Sequence, residues 1–457
     1  MYNNSIFIFR RDLRLEDNIG LLKCCESSKL VYAIFIFTPE QVKDNDYKSN
    51  NAVQFMCNAL DDLDKLLKNR GGKLYLFYDD NIKVLKKIVK ELNIESIFEN
   101  RDMTPYARDR QNKIKKMCNK IGIDYNLEED VTLLPMGTIL TGTDEPYQIY
   151  TPFYKNAKKN KIPEPRKNNY SNFSKKKIKS KEISKKDMNK FFEKNTNTII
   201  ETRQDALKIL NNIKKHKNYK KTRNNPNIKT TQLSPHLHFG TISIREAYHK
   251  ILNELGKDHE LIKQLWWREF YMYITNYYIK NYKKESFTQE KYNKIVWSKS
   301  KKNLELWKKG KTGCPIVDAG MRSMNKTGFM HNRVRMIVAM YLVFYLRIHW
   351  KEGEKYFCQK LVDIDFSNNN GNWRWVAGIS SWSNPYFRAF SMNSQSERFD
   401  PKGEYIKKWI PELKKVNHKH LHEWEKYYNE YDIDYPKPII DMTDARKKGI
   451  DMFKKIK

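Results

Sequence analysis

Two polar segments carry side chains that could bind a phosphate-rich ligand or line a polar site. Thr230, Thr231 and Ser234 place hydroxyls and backbone N–H groups directly before a predicted helix, and such an arrangement favours phosphate. The same residues would equally suit an ordinary helix N-cap. Residues 363–371 (DIDFSNNNG) are rich in short polar side chains and turn formers, which on their own indicate a loop.

Oxidisable and basic side chains are abundant. The 457 residues include 10 Trp, and indoles that lie close together can pass an electron vacancy outward, although isolated tryptophans are usually core residues. Lys and Arg total 87 against 54 Asp and Glu, a formal net charge of +33. That charge attracts polyanions such as nucleic acid, but a compositional bias toward Lys and Asn would produce it as well.

Alternating strands and helices are predicted in the first third of the chain. Continuous apolar runs predict strands that are buried on both faces, at residues 5–9, 31–37, 73–78 and 96–98. A helical pattern at 52–68 lies between them, so the order predicts a parallel sheet with right-handed crossovers. FRRDLR (9–14) follows the first strand where GxGxxG would be expected, which argues against a conventional NAD site.

A lysine-rich connection leads to a helical region. Residues 171–194 carry nine Lys against three acidic residues, which predicts a solvated or partly disordered linker. Helical periodicity then predicts long helices at residues 244–255, 261–282 and 330–350. We therefore expect an α/β Rossmann-like domain at 1–135, a linker at 136–229 and a larger all-α domain at 230–457.

The sequence favours a soluble protein of a reducing compartment, in the cytoplasm or nucleus. The N-terminus lacks the plan of a signal peptide, and no apolar run is long enough to span a bilayer. The six cysteines form neither a CxxC pair nor a metal-like spacing, so we expect no metal site; they are Cys24, Cys25, Cys57, Cys118, Cys314 and Cys358.

An ordered set of segments resembles the photolyase/cryptochrome family, and within it the class I enzymes for cyclobutane pyrimidine dimers. The segments are 9–18 (FRRDLRLEDN), 230–240 (TTQLSPHLHFG), 266–271 (WWREFY), 312–336, 363–375 (DIDFSNNNGNWRW), 385–390 (PYFRAF) and 399–413. Each segment alone is a weak signal, whereas the ordered set covers nearly the whole chain. The resemblance implies an antenna domain of α/β type followed by an all-α FAD-binding domain.

The resemblance assigns one set of residues to FAD and to electron transfer. The implied FAD-binding residues are Tyr219, Thr230, Thr231, Gln232, Leu233, Ser234, Arg335, Asp363, Ile364, Asp365 and Asn369. Arg335 would pair with Asp363, and the Asn369 amide would face flavin N5, where it can donate or accept a hydrogen bond. Trp297, Trp350 and Trp373 match the family's electron relay, and with Asn369 they form the implied catalytic set.

The resemblance assigns a second set to damaged DNA, whose lesion is flipped out of the duplex. The implied DNA-binding residues are Arg223, Gln264, Trp267, Asn332, Arg333, Met336, Trp375 and Gln395. Trp267 and Trp375 would pack against the flipped bases, Asn332 would hydrogen-bond them and Met336 would make an apolar contact. Each arginine would equally suit a solvated surface position.

Asn332 and Met336 indicate which lesion is repaired. Enzymes for (6-4) photoproducts have His at both positions because that repair needs proton transfer, whereas cyclobutane splitting needs an electron and its return. We therefore expect a carbon–carbon lyase that splits cyclobutane pyrimidine dimers by electron transfer from excited reduced FAD. Gln264 departs from this pattern, since Glu is usual there in the dimer enzymes and Gln in the (6-4) branch and in animal cryptochromes.

Other functions and a second chromophore remain open. A (6-4) photolyase, a cryptochrome-type photoreceptor and a non-photochemical nucleic-acid binder are the alternatives. Residues 100–110 resemble the antenna loop, but Thr104 and Pro105 replace the Asn-Glu pair of the folate subgroup. The antenna could therefore be a deazaflavin, a flavin, a folate or absent. UV-damaged DNA is the expected partner of a monomer with no membrane association and no obligate protein partner.

Overall fold

The computed structural model describes residues 1–43, 45–200, 202–278, 290–380 and 389–455. Contacts between residues divide them into two compact units. The first unit takes in the described residues among 1–194, 200–217 and 231–279, and the second those among 195–199, 218–230 and 280–457. No helix in these ranges combines the length and the apolar content that crossing a membrane requires.

A five-stranded parallel sheet forms the centre of the first unit, with strand order β3-β2-β1-β4-β5. The strands are β1 (Tyr2–Ile8), β2 (Ser28–Phe37), β3 (Leu74–Tyr78), β4 (Ser96–Asn100) and β5 (Asp124–Glu128). The apolar runs in β1 and β2 are buried because helices cover both faces of a parallel sheet. The order reverses next to β1, and polar loops at the carboxyl ends of the strands meet there.

Eleven helices of the first unit are described. They are α1 (Ile19–Ser27), α2 (Pro39–Val42), α3 (Asn50–Lys68), α4 (Asn81–Leu92), α5 (Pro105–Ile121), α6 (Tyr150–Ala157), α7 (Lys185–Met188), α8 (Arg203–Asn211), α10 (Ser234–Phe239), α11 (Ile244–Leu255) and α12 (Glu260–Tyr278). In α3 the N-cap Ser49 accepts a hydrogen bond from the N–H of Ala52. Its apolar positions face the core, which confirms the helical spacing at 52–68.

The segment after β5 ties several parts of the first unit together. The buried Asp130 carboxylate accepts two hydrogen bonds from Arg14, at 2.8 and 2.7 Å, and one from Arg245 at 2.8 Å. Burial opposes ionisation of Asp130, but the two guanidinium groups outweigh it and lower its pKa. The backbone N–H of Leu133 donates to the fully buried Glu269 carboxylate of α12 at 3.0 Å. Residues 130–133 therefore join the loop after β1 to both α11 and α12.

The lysine-rich segment is exposed at its lysines and anchored at intervals. The N–H of Ser174 donates to the carbonyl of Val31 at 2.8 Å, and the neighbouring Phe173 is buried. Further along, the Ser180 hydroxyl donates to Glu91 at 2.6 Å. Lys175, like the two lysines that follow it, is exposed. The segment thus runs along the sheet domain while its charges stay in water.

The second unit is helical. Its helices are α9 (Tyr219–Thr222), α13 (Lys301–Lys309), α14 (Pro315–Thr327), α15 (Asn332–Met340), α16 (Trp350–Lys360), α17 (Phe366–Val376), α18 (Met392–Phe399), α19 (Glu404–Trp409), α20 (His418–His422), α21 (Trp424–Tyr427) and α22 (Met442–Lys454). A π-helical turn at Tyr341–Tyr345 follows α15. Large apolar side chains of α14 to α17 form one continuous core.

A carboxylate also organises the second unit. Asp318 of α14 is fully buried and accepts hydrogen bonds from the Thr312 hydroxyl at 2.7 Å and the Tyr435 hydroxyl at 2.6 Å. Burial raises its pKa to about 6, even though these donors favour the charged form. The bond to Tyr435 fastens the chain that leads to the C-terminal helix.

The C-terminal helix packs closely against the π-helical turn. Gly449 of α22 lies against the backbone of Phe344, and a Cβ at position 449 would overlap the Phe344 carbonyl oxygen. One turn further, the rings of Phe453 and Phe344 stack with centroids 4.8 Å apart. The absence of a side chain at 449 is what permits this approach.

We expect Gly449→Ala to push α22 away from the π-helical turn. Backbone on the other side of the contact cannot move aside as a flexible side chain would, so the free energy of unfolding should fall by about 1–3 kcal/mol. Urea denaturation measures this loss, and limited proteolysis near the C-terminus should become faster. Gly142→Ala is the matched control because a Cβ there meets open space. Equal stability of the two variants would contradict the close contact.

Candidate functional site

Arg335 and Asp363 form the ion pair that the resemblance implies. The Arg335 Nη2 lies 3.0 and 2.9 Å from the two carboxylate oxygens of Asp363, and its Nε donates to the Met330 carbonyl at 2.8 Å. The Asp363 side chain is 4% exposed, so the charge of the guanidinium is needed to hold a carboxylate there. The pair fixes a negative group just before α17.

The start of α17 carries the next polar residues. Asp365 is the N-cap of α17 and accepts a hydrogen bond from the N–H of Asn368 at 2.9 Å. Asn369 is buried, and its Nδ2 donates to the Glu354 carbonyl at 3.1 Å and to the Cys358 Sγ at 3.3 Å. Because the Glu354 carbonyl can only accept a hydrogen bond, the Asn369 Nδ2 must face it, and the Asn369 Oδ1 remains as an acceptor. Ile364 packs against the core of the second unit.

The three tryptophans of the implied relay lie in one connected part of the second unit. Trp297 is half-buried, and its ring centroid lies 5.1 Å from that of His349. The His349 ring in turn stacks on Trp350 at 5.9 Å. Trp350 is fully buried and begins α16, whose Gly353 contacts the buried ring of Trp373. Trp297 is therefore the only half-buried ring of the three, whereas Trp350 and Trp373 are both buried.

Gly353 fixes the position of the Trp373 ring. A Cβ at position 353 would overlap the six-membered ring of Trp373 and would also contact Leu342. On its other sides the indole meets Phe357 at 5.0 Å and Trp307 at 6.4 Å between ring centroids. Helix α16 thus presents a flat notch that sets the position of the Trp373 ring.

The accessible side of α15 carries Asn332 and Met336, one turn apart. Asn332 is exposed and Met336 is half-buried, whereas Val334 and Ile337 between and beyond them are buried. The preceding His331 is the N-cap of α15, and its Nδ1 accepts a hydrogen bond from the N–H of Arg333 at 3.2 Å. Burial lowers the pKa of His331 to about 4, with the nearby arginines adding to the effect. The imidazole is therefore neutral at pH 7.

Arginines crowd together near the same helix. Burial lowers the pKa of Arg333, and the charges of Arg223 and Arg398 lower it further. Arg333 donates to the Asn224 Oδ1 at 2.9 Å and lies 4.5 Å above the ring of Phe399. Three mutually repelling guanidinium groups form an electropositive cluster that suits phosphate.

Helix α18 adds two further polar residues. Gln395 and Arg398 lie one turn apart on it.

Trp375, on α17, is half-buried and packs against the core. Tyr219 begins α9 and is half-buried, as is Thr230 at the end of the same stretch of the second unit.

In the first unit, the predicted phosphate cradle is a turn that enters α10. Gln232 has a φ of 52°, a left-handed conformation that costs energy for a non-glycine residue. The Thr231 hydroxyl accepts a hydrogen bond from the N–H of Leu233 at 3.5 Å, and Ser234 begins α10. Leu233 itself is buried. The hydroxyls of Thr231 and Ser234 lie at accessible positions on either side of this anchor.

Helix α12 carries Gln264 and Trp267 one turn apart. The Gln264 Nε2 is buried and has no hydrogen-bond partner among the described residues. Trp267 is half-buried, and Tyr150 of α6 stacks on it with ring centroids 3.5 Å apart and planes inclined by 8°. An unpaired buried amide is costly, so the Gln264 Nε2 is a candidate donor to a ligand.

A second group of residues lies at the carboxyl ends of the strands. Arg10 follows β1 and donates to Glu99 at 3.0 Å, while burial and the charge of Arg110 lower the pKa of Arg10. The Nε and Nη2 of Arg110 are buried and unpaired within the described ranges. Tyr106 lies below the Arg110 guanidinium at 5.8 Å and shares a hydrogen bond with Thr38 at 3.0 Å. These groups form a second candidate site for an anionic ligand.

Residues of the second unit fit the flavin dinucleotide that the resemblance implies. Ser367 Oγ, at the start of α17, is buried and has no partner in the part of the chain that the structure describes. A flavin has ring carbonyls, ring N–H groups and hydroxyls that could satisfy such atoms. Asn369 Oδ1 is likewise available as an acceptor near Asp363.

Several residues of the site were missed by sequence reasoning. They are Tyr150, His349 and Arg398. Each is recognised through contacts with residues distant in sequence, and no motif or spacing points to them. Arg110 lies in the segment at 100–110 that resembles the antenna loop, although it was not singled out there. Of the PYFRAF segment, Pro385 to Arg388 lie outside the described residues.

Comparison with known proteins gives consistent matches along the chain. Residues 5–168 match a family model described as DNA photolyase, and residues 261–455 match one described as the FAD binding domain of DNA photolyase. The chain is 35% identical to a deoxyribodipyrimidine photo-lyase of Buchnera aphidicola, over 99% of this chain and 97% of that protein.

Two solved structures share the whole fold. A crystal structure of an archaeal photolyase from Sulfolobus tokodaii with two FAD molecules matches with a TM-score of 0.89 and 35% identity, covering 99% of this chain and 100% of that one. A cryptochrome from Synechocystis matches with a TM-score of 0.89 and 26% identity, covering 100% of both chains. The α/β sheet region followed by a helical region is thereby confirmed.

We expect Gly353→Ala to displace the Trp373 ring. The new methyl group would occupy the space of the indole, so the free energy of unfolding should fall by about 1–3 kcal/mol. The near-ultraviolet circular dichroism spectrum should change as well, because it reports on aromatic packing. Glu352→Ala, at an exposed position on the same helix, is the control and should leave both measurements unaltered. If Gly353→Ala behaves like this control, the notch does not fix Trp373.

Proposed function

The chain belongs to the DNA photolyase family, and from that premise we propose that it uses light and FAD to split cyclobutane pyrimidine dimers in UV-damaged DNA. The observation that carries the choice of lesion is the accessible side of α15. There Asn332 and Met336 lie a turn apart, and the adjacent imidazole of His331 is buried and neutral. This surface can hold a flipped base pair but offers it no acidic histidine.

FAD, when bound in its reduced form, supplies the photochemical electron that opens the cyclobutane ring and then recovers it. The protein residues orient and tune this group. Asp363, held by Arg335, places a negative charge beside the start of α17. The Oδ1 of Asn369 can accept a hydrogen bond from a ring N–H, which favours the one- or two-electron-reduced flavin because the oxidised form carries no proton at N5. The other residues proposed to bind FAD are Tyr219, Thr230, Thr231, Gln232, Leu233, Ser234, Ile364 and Asp365.

The DNA would be held by both charge and stacking. Arg223 and Arg333, together with Arg398, form a cluster suited to backbone phosphates, and such contacts weaken as salt rises. Gln395 on α18 stands a turn from Arg398. Trp267 and Trp375 are half-buried aromatic rings that could pack against the flipped bases. The buried, unpaired amide of Gln264 supports a hydrogen bond to a lesion carbonyl.

Trp297, Trp350 and Trp373 would restore the reduced flavin by passing electrons inward from the surface. Support comes from the ring contacts through His349, which join Trp297 to Trp350, and from the contrast between the half-buried Trp297 and the two buried indoles.

A cryptochrome-type photoreceptor is the second candidate, favoured by the likeness to the Synechocystis cryptochrome at a TM-score of 0.89. Gln264 instead favours a (6-4) photolyase, because Gln rather than Glu is usual there in that branch. The arginine cluster favours a DNA repair enzyme over a photoreceptor, and the Asn332–Met336 pair favours dimer repair over repair of the (6-4) lesion. Light-dependent repair of the two lesions, compared side by side, distinguishes a dimer photolyase, a (6-4) photolyase and a photoreceptor.

We also propose a second, anionic chromophore at the carboxyl ends of the strands. The unpaired guanidinium nitrogens of Arg110 support a negative group, and the exposed ring of Tyr106 offers a stacking surface. The archaeal photolyase with two FAD molecules favours a flavin over a deazaflavin or a folate.

The domain division and the setting of the protein are proposals as well. The two family models, at 5–168 and 261–455, support an antenna domain followed by an FAD-binding domain. We propose bounds of 1–135 and 230–457 for these domains, joined by 136–229. We propose a monomeric protein of the cytoplasm or nucleus that needs no protein partner for repair.

Light-dependent repair of two defined oligonucleotides tests the function. One duplex carries a cyclobutane thymine dimer and the other a (6-4) photoproduct, each with a dark control. We expect reduced wild-type enzyme to remove only the cyclobutane lesion. Gln264→Glu should repair that lesion at least as fast, because a carboxyl group restores the usual partner. Repair of the (6-4) lesion, or of neither lesion by a flavin-loaded protein, would contradict the proposal.

Trp373→Phe tests the relay separately from the repair. Phenylalanine fills similar space but is much harder to oxidise, so photoreduction of the oxidised flavin with an external thiol should slow strongly. Repair by enzyme that has been chemically reduced beforehand should remain close to wild type. Absorbance of the flavin under steady illumination measures the rate of photoreduction. The control is Trp307→Phe, which replaces a buried indole beside Trp373. Unchanged photoreduction in Trp373→Phe would remove it from the relay.

A further inference from the structure

Helices α6 and α12 of the first unit are joined by aromatic rings. Tyr150, the first residue of α6, stacks on Trp267 with centroids 3.5 Å apart and ring planes inclined by only 8°. The ring of Tyr154 continues the series at 5.8 Å from Tyr150, again inclined by 8°. Three nearly parallel rings thus run from α6 onto the helix that carries Gln264.

Tyr150 is held in place from both ends of its side chain. Its hydroxyl donates to the carbonyl of Lys263 in α12 at 2.8 Å. Three residues along α6, the buried Phe153 packs against Trp266 at 6.2 Å and against Phe270 at 5.4 Å. Because the backbone of α6 is docked by Phe153 and the ring tip is tied to Lys263, the plane of Tyr150 has little freedom.

The stack determines how Trp267 can meet a ligand. The indole also contacts Phe270 and Tyr271, at 5.8 and 5.9 Å between ring centroids. Tyr150 makes the shortest and most nearly parallel of these contacts, so it restricts the rotamers of a ring whose ordering on binding would reduce affinity. A base can meet only the part of the indole that these three side chains leave uncovered. The stack with Tyr150 also orders the Trp267 ring before binding, so that less conformational entropy is lost when a base binds.

We propose that Tyr150 is a positioning residue that fixes the Trp267 ring for a flipped pyrimidine dimer. The inference rests on the proposed function, in which Trp267 contacts the lesion. Tyr150 acts through Trp267 and raises the preference for damaged over undamaged DNA, while non-specific affinity, which depends on charge, is left unchanged.

The test compares dissociation constants for two duplexes of the same sequence, one with a single cyclobutane thymine dimer and one undamaged. The proteins are wild type, Tyr150→Phe, Tyr150→Leu, Trp267→Ala and the double variant Tyr150→Leu/Trp267→Ala. Tyr154→Leu is the matched control, since it removes a tyrosine of the same helix beyond the pair. All proteins carry FAD, are measured in the dark at one salt concentration and are first compared by thermal unfolding.

We expect Tyr150→Leu to lower the ratio of damaged to undamaged affinity about two- to tenfold, the range that aromatic pairs typically contribute. Tyr150→Phe should keep most of the ratio because the ring remains, and Tyr154→Leu should resemble wild type. The double variant should be no worse than Trp267→Ala alone, because a residue that acts only through Trp267 has nothing left to position.

Three results would overturn the inference. A ratio in Tyr150→Leu equal to wild type, while Trp267→Ala loses lesion preference, would refute the role of Tyr150 and leave the proposed function intact. Additive losses in the double variant would show that Tyr150 acts independently of Trp267. No loss in Trp267→Ala would refute both the lesion contact and the role of Tyr150.

Discussion

The buried carboxylate of Asp130 is the interaction on which the first unit depends. A charge removed from water must be paired, and here Arg14 and Arg245 supply that pairing from the loop after β1 and from α11. Removing one partner of such a group typically costs about 3–5 kcal/mol, so the three segments are obliged to meet. The chain then passes directly to Leu133, whose N–H holds Glu269 of α12. The placement of the helix that carries Trp267 is therefore coupled to the sheet.

The strands and long helices of the first unit could be largely predicted from sequence because apolar periodicity reflects burial. The runs at 31–37 and 73–78 lie within or close to β2 and β3, and the helix at 244–255 has the predicted bounds. β5 was missed because its DYNLE sequence is polar and only half-buried at the edge of the sheet. The predicted helix at 330–350 is instead α15, a π-helical turn and the first residue of α16, since continuous burial gives no signal for a change of helical type.

The site could be predicted from motifs as a set of residue identities but not as an arrangement. The Arg335–Asp363 pair was expected from resemblance, and the structure contains it. Asn369 was expected to donate or accept, whereas the Glu354 carbonyl determines that Oδ1 is the free acceptor. His349 joins Trp297 to Trp350, and Tyr150 stacks on Trp267, which is not part of the relay. Neither residue belongs to a pattern in the sequence. Their roles come from tertiary packing, which depends on partners far apart in the chain.

The contrast between the half-buried Trp297 and the buried Trp350 and Trp373 would give the proposed relay a preferred direction. A positive charge on a dry indole is poorly solvated, and Trp350 additionally has the Arg374 guanidinium 4.8 Å above its ring. At the half-buried Trp297, water can reorganise around the same charge. Because the effective dielectric constant rises toward the surface, outward movement of the positive charge to Trp297 would be favoured even among three chemically identical side chains. The packing around the three indoles, rather than their chemistry, would then determine the direction in which the charge moves.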